Sequence, residues 1–157
     1  MIYKIAGSAL ILSASALSAS RLISEEKAKI VQLETFIELV SYIRNQIDLY
    51  SAPIGKIFSD CKSSILTKLG ISDVPSRFDE ILGKSKLIID SESQKTLYEF
   101  SESLGKNYRE MQLKLCDRTI ASLEERKKLL LSSFASRQKT ILALCLGLGG
   151  ITVIALF

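Results

Sequence analysis

Apolar residues in this chain follow a helical rhythm through the middle and run without charged interruption at the ends. From Ile30 to Tyr50 the apolar positions Leu33, Phe36, Ile37, Leu39, Val40, Ile43, Ile47 and Tyr50 recur at three- and four-residue steps, with Glu34, Glu38, Arg44 and Asp48 between them. That period predicts an amphipathic helix. No Gly or Pro separates it from the apolar stretch before it, so one continuous helix is expected. Ala52-Pro53 ends this helix, because the proline ring disfavours helical geometry at the residue before it, and Pro53 is placed to open the next. A second helix is expected from Pro53 to Leu69, closed by Gly70 at the position past the cap. Asp73-Val74-Pro75 then predicts a short helix through Leu82, stopped by Gly83. Ser91 with Gln94 reads as a capping box for a helix to Leu104, with Gly105 as its stop. Asn107 with Glu110 repeats the device, and no Gly or Pro follows until Gly147, so a last long helix is expected from Tyr108 onward.

The ends differ from the middle. Thr140 to Phe157 contains no charged side chain over 18 residues, which at ~1.5 Å per residue spans about 27 Å, near the roughly 30 Å of a bilayer's hydrocarbon core. A membrane helix is therefore expected there. Ile5 to Leu22 is diluted by Ser8, Ser13, Ser15, Ser18 and Ser20, yet Lys4 and Arg21 bracket 16 uncharged residues. Serine hydroxyls can bond back to the preceding turn, so a spanning helix tolerates them. A cleavable signal peptide is the rival, with Lys4 as its basic region and Ala14-Ser15-Ala16 or Ser18-Ala19-Ser20 as its cleavage site.

Charge assigns an orientation. All 17 acidic residues fall between Glu25 and Glu125, and residues 21–139 carry 20 basic groups against them, a balance of +3. Such interleaving describes a solvated domain and not a nucleic-acid surface. Arg126, Lys127, Lys128, Arg137 and Lys139 flank the C-terminal segment on one side only, which by the positive-inside rule puts the central domain in the cytoplasm. Cys61, Cys116 and Cys145 are odd in number and form no CxxC pair, as fits buried thiols in a reducing compartment.

The chain has no histidine and no tryptophan. The commonest general base and metal ligand is therefore missing. The neighbouring carboxylates Glu25/Glu26, Asp79/Glu80 and Glu124/Glu125 point about 100° apart on a helix, so no pair converges on one substrate atom. The charge run Glu124 to Lys128 reads as a solvated surface with i to i+3 and i+4 pairing. No enzyme, cofactor, metal site, small-molecule substrate or nucleic-acid partner is expected. Gly147-Leu148-Gly149-Gly150 lacks the strand and the Lys-Ser/Thr of a phosphate loop. Ala143, Gly147 and Gly150 instead share a face suited to close packing against another membrane helix.

Three stretches together resemble the stage III sporulation protein AB (SpoIIIAB) family. They are Ile43-Arg44-Asn45-Gln46-Ile47-Asp48-Leu49-Tyr50-Ser51-Ala52-Pro53-Ile54, then Phe100-Ser101-Glu102-Ser103-Leu104-Gly105 followed by Gln112, then the tail Leu146 to Phe157 with its Leu-Gly and aliphatic ending. The family often has Thr-Pro-Leu at Ala52-Pro53-Ile54 and an acidic residue where this chain has Lys106-Asn107. Both departures keep the capping logic, since Asn caps as well as Asp. The resemblance implies endospore-forming Firmicutes and a soluble part similar to the cytoplasmic bundle of type II secretion inner-membrane platform proteins (the GspF family). It further implies the mother-cell membrane facing the forespore, a channel complex joining the two cells, and a secretion-type ATPase and other stage III channel subunits as partners.

The expectation is thus an all-α protein: a transmembrane segment over 1–22, a cytoplasmic bundle of about five or six helices over 23–139, and a second transmembrane segment over 140–157. It would act as a non-enzymatic platform in the bilayer, with a homo-oligomer left open. The alternative is an extracytoplasmic, tail-anchored helical sensor or adhesion module released from a signal peptide.

Overall fold

A computed structural model of the chain describes the backbone of residues 2–50, 53–61 and 63–156, and their side chains except those of 2–12, 146, 148, 149 and 152–156. The described residues form six helices: α1 (Ile2–Tyr50), α2 (Ile54–Ser59), α3 (Ser63–Lys68), α4 (Phe78–Lys84), α5 (Ser91–Ser103) and α6 (Arg109–Leu156). The all-helical class follows the period of the apolar positions. The chain divides into two compact units, Lys29–Leu129 and Met1–Ala28 with Leu130–Phe157.

In the unit Lys29–Leu129, α1 supplies the central stripe: Leu33, Phe36, Leu39, Val40 and Ile43 are fully buried. Tyr50, grouped with that stripe by its spacing, is instead 70% exposed. Around α1 pack Ile57 and Phe58 of α2, Ile65 and Leu66 of α3, Ile81 and Leu82 of α4, and Leu97 of α5. Phe78 and Phe100 meet edge to face with centroids 5.0 Å apart, the favoured arrangement of two aromatic quadrupoles. Ion pairs set the helix register. Asp48 meets Arg109 at 2.9 Å, Arg44 meets Asp117 at 2.5 Å, and Glu34 meets Lys127 at 3.0 Å, so α6 runs antiparallel to α1 in this unit. Arg126 pairs with Glu92 of α5. The run Glu124 to Lys128 is therefore not simply a surface of i to i+4 pairs, because two of its cations tie α6 to other helices.

Four boundaries differ from the sequence expectation. The helix expected over Pro53–Leu69 is two helices, with Asp60 capping the first. Its end at Gly70 stands: Gly70 has φ +77°, its N–H reaches Thr67 O at 3.0 Å, and Ile71 N–H reaches Leu66 O at 2.9 Å, a Schellman closure. The short helix starts at Phe78, not at Pro75, and runs through Gly83 to Lys84, because Glu80 reaches back to Ser76 N–H at 3.0 Å and fixes the start there. The cap of α5 is Asp90 rather than Ser91, its carboxylate accepting from Ser93 N–H at 3.1 Å and Ser93 Oγ–H at 2.6 Å. Burial alone would raise this carboxyl's pKa, but the Ser93 hydrogen bonds and the Arg126 charge hold it below the ordinary value. Asn107 lies outside the start of α6, and the turn before it is closed from Gln112 instead.

In the unit Met1–Ala28 with Leu130–Phe157, Ala19 is 2% exposed and the Ser18 hydroxyl donates to Ala14 O at 2.9 Å, the back-bonding expected of a serine in an apolar helix. Glu25 pairs with Arg21 at 3.3 Å and Glu26 with Arg137 at 3.7 Å. Of the two segments expected to span a membrane, Met1, Phe157 and the side chains of 2–12, 146, 148, 149 and 152–156 lie outside the described residues. Among the described residues no helix is long and apolar enough to cross a membrane.

Candidate functional site

The first two stretches that carry the family resemblance, some fifty residues apart in sequence, come together at one end of the unit Lys29–Leu129. The last four carbonyls of α1 lack partners within the helix, and Arg109 takes two of them: its Nε–H donates to Ile47 O at 3.3 Å and its Nη2–H to Asp48 O at 2.6 Å, with Asp48 Oδ1 at 2.9 Å. Next to Arg109 lies the turn between α5 and α6. Gly105 holds φ +84°, where only glycine is unstrained, and a Cβ on it would stand 2.9 Å from Ile54 Cδ1. Gln112, 4% exposed, accepts from Gly105 N–H at 3.2 Å and donates to Ser103 O at 3.5 Å and Asn107 O at 3.4 Å. A small cavity of about 190 Å³ is left between Ile47, Pro53, Ile54, Gly105, Arg109 and Gln112.

Pro53 also borders a larger opening, a groove of about 650 Å³ lined by Tyr42, Gln46, Tyr50, Lys56, Ile57 and Asp60. Pro53 caps α2, its carbonyl accepting from Lys56 N–H at 2.9 Å and Ile57 N–H at 3.2 Å. Across the groove the Tyr42 hydroxyl donates to Asp60 O at 2.9 Å, with Ile57 O at 3.5 Å as a second acceptor. These are carbonyls that the break after α2 releases. Burial, then the Cys61 and Asp60 charges, push the Tyr42 phenol above its ordinary pKa, so it stays a donor. Leu49 at 72% and Tyr50 at 70% exposure stand at the end of α1. The groove thus offers aromatic and aliphatic walls with one cation, Lys56, and one carboxylate, Asp60. This is the composition of a protein contact: apolar anchors with a few charges that fix register.

The profile of the stage III sporulation protein AB family matches residues 4–157, nearly the whole chain. The chain belongs to that family. Membership implies a role in sporulation. Searches of curated proteins and of solved structures found no match. In this sporulation family member, the first two stretches that carry the resemblance lock α1, α2 and the α5–α6 turn together, and the first of them lines the open groove.

The residues singled out for membrane packing lie on α6. Ala143 and Gly147 are exposed and Gly150 is half-buried, and at both glycines a Cβ would meet open space. Two of the neighbouring carboxylates hold structural posts: Asp79 pairs with Arg77 at 3.1 Å, while Glu80 accepts from Ser76 N–H at 3.0 Å just ahead of α4. Cys116 is buried, and burial together with Asp117 pushes its thiol up to about 11, so it stays protonated and unreactive. Sequence reasoning missed Gln32, whose amide donates to Lys86 O and accepts from Ile88 N–H, both at 2.8 Å, pinning the α4–α5 loop to α1. It also missed Arg109 and Tyr42. A charged or phenolic side chain serving a distant carbonyl leaves no periodic trace.

Proposed function

We propose that this protein is a non-enzymatic membrane platform subunit of a secretion-like channel complex between mother cell and forespore. The helical unit faces the mother-cell cytoplasm and binds a secretion-type ATPase, and the terminal segments lie in the mother-cell membrane facing the forespore, among other channel subunits. Ala143, Gly147 and Gly150 form the face on which a partner membrane helix packs, because small residues let backbones approach closely in lipid. The observation that carries the reading is the join around Pro53. The first of the stretches that carry the resemblance supplies Gln46, Tyr50 and Pro53 to a groove that stands open at one end of a buried-core bundle, beside exposed Leu49.

The ATPase docks in this groove, with Tyr50 as its anchor and Lys56 setting register. Co-isolation of the ATPase with the full-length protein from detergent-solubilised sporulating cells tests this. Tyr50→Ala and Lys56→Glu are expected to lower ATPase recovery by about tenfold, the scale of a lost interface anchor, while Val74→Ala, exposed in the α3–α4 loop, leaves it unchanged. Wild-type recovery with both groove variants would show that the motor binds elsewhere or not at all.

A further inference from the structure

In the unit Met1–Ala28 with Leu130–Phe157, α1 and α6 enclose a cleft of about 270 Å³. Glu26 meets Arg137 across it at 3.7 Å. Leu22 and Ile141, each four residues from that pair, line the same cleft. The two helices are therefore antiparallel here, and Leu22 and Ile141 both stand about 6 Å along from the ion pair, on the same side of it. That side is the charge-free one in both helices. Arg21 is the first charge of α1 after Lys4, and Lys139 is the last charge of α6. The cleft thus has a polar end, with Glu25, Glu26, Ser136 and Arg137, and an apolar end, with Leu22 and Ile141. It straddles the level at which charged chain gives way to apolar chain. With the terminal segments in the bilayer, as proposed above, that level is the headgroup layer, and lipid is what fills an open cleft there.

The charges in the cleft select the headgroup. Arg137 is 62% exposed and holds Glu26 only at 3.7 Å, which leaves guanidinium N–H donors for a phosphate, the anion whose geometry its fork matches. The exposed Ser136 stands one residue away. Glu25 contacts Arg21 at 3.3 Å with both side chains mostly in water, a pair that contributes little and yields to a better donor. One guanidinium against two carboxylates gives the lining a balance of 1 − 2 = −1. Basic pockets at this depth take anionic lipids; this one is acidic and calls for a headgroup that also carries a cation. A primary ammonium brings three N–H donors to a carboxylate, as a lysine does, and a quaternary one brings none. We infer that the cleft binds a phospholipid with a primary-amine headgroup, of the phosphatidylethanolamine kind. Its phosphate lies on Arg137 and Ser136, its ammonium on Glu25, and its acyl chains run over Leu22 and Ile141. The inference rests on the membrane placement proposed for the terminal segments and not on ATPase docking.

Native mass spectrometry of the full-length protein in detergent counts bound lipid directly during titration with phosphatidylethanolamine, phosphatidylcholine or phosphatidylglycerol of matched acyl chains. The first phosphatidylethanolamine is expected to bind about tenfold more tightly than either other lipid, the scale of one charge-assisted hydrogen bond. Glu25→Gln should bring phosphatidylethanolamine and phosphatidylcholine to near-equal affinity. Arg137→Gln should weaken both by about tenfold and keep their ratio. Lys139→Gln, at an exposed position of the same level outside the cleft lining, should change neither. Circular dichroism matching the wild type confirms the fold of each variant. Equal binding of the three lipids by the wild type, tighter binding of phosphatidylglycerol, or an undiminished preference in Glu25→Gln would each overturn the inference. Fractionation of sporulating cells separates it from the reading beneath it. A chain that stays in the membrane pellet through an alkaline wash yet shows no headgroup preference refutes the inference alone, whereas a chain found in the soluble fraction refutes both.

Discussion

Three glycines that look alike in sequence have different roles in space. Gly70 and Gly105 take φ of +77° and +84°, a region costing an L side chain roughly 1–2 kcal/mol. Gly83, which the sequence marks as a helix stop, sits inside α4 with nothing within 4 Å of a Cβ. Opposite outcomes follow for one substitution. Gly105→Ala should destabilise by about 1–2 kcal/mol, since Ile54 Cδ1 can swing aside but the backbone cannot relax. Gly83→Ala should stabilise by roughly 0.5–1 kcal/mol. Urea unfolding of the full-length protein in detergent, followed by helical circular dichroism, reads both, and equal effects at the two sites would contradict the assignment. Ser85 makes a related point: two residues after Gly83 it reads as an exposed loop position, yet it is 6% exposed, because α4 continues past the glycine and turns it inward.

Element by element, what was legible tracks how local its cause is. The α1 stripe, the Gly70 and Gly105 stops and the run of α6 follow from spacing and backbone chemistry within a few residues. The break between α2 and α3 does not. Residues 53–69 contain one glycine near their start and no later breaker, so local rules favour a single helix; Tyr42, eighteen residues away, accommodates the break by donating to Asp60 O. The sites divide in the same way. Pro53, Gly105 and Gln112 were visible through the family resemblance, whereas Arg109 and Gln32 act on carbonyls and amides some sixty and fifty-five residues away and give no signal in the chain. Tyr42→Phe tests the element-scale account. Loss of the hydrogen bond from half-buried Tyr42 to the Asp60 carbonyl should cost about 1 kcal/mol or less, and amide hydrogen exchange should speed up in α2 while α5 keeps its protection. Exchange unchanged in α2 would mean that the corner stands without Tyr42.

For the molecule as a whole, the described structure supplies an all-helical chain of this sporulation family, with one unit organised around the α1 stripe. Its ionic contacts link α1 to α6, α3 to α1 and α6 to α5. Each surface pair contributes only ~0.2–1 kcal/mol, so apolar burial holds the unit together and the pairs set register. The central claim, a platform whose helical unit shares a compartment with a cytoplasmic motor, turns on sidedness. Ser64, at the start of α3, is exposed and takes no part in the groove. In a variant with Cys61, Cys116 and Cys145 replaced and Ser64→Cys introduced, a membrane-impermeant thiol reagent applied to intact sporulating cells should label nothing until the cells are lysed. Labelling of intact cells would place the helical unit outside the cytoplasm, and ATPase docking could not occur.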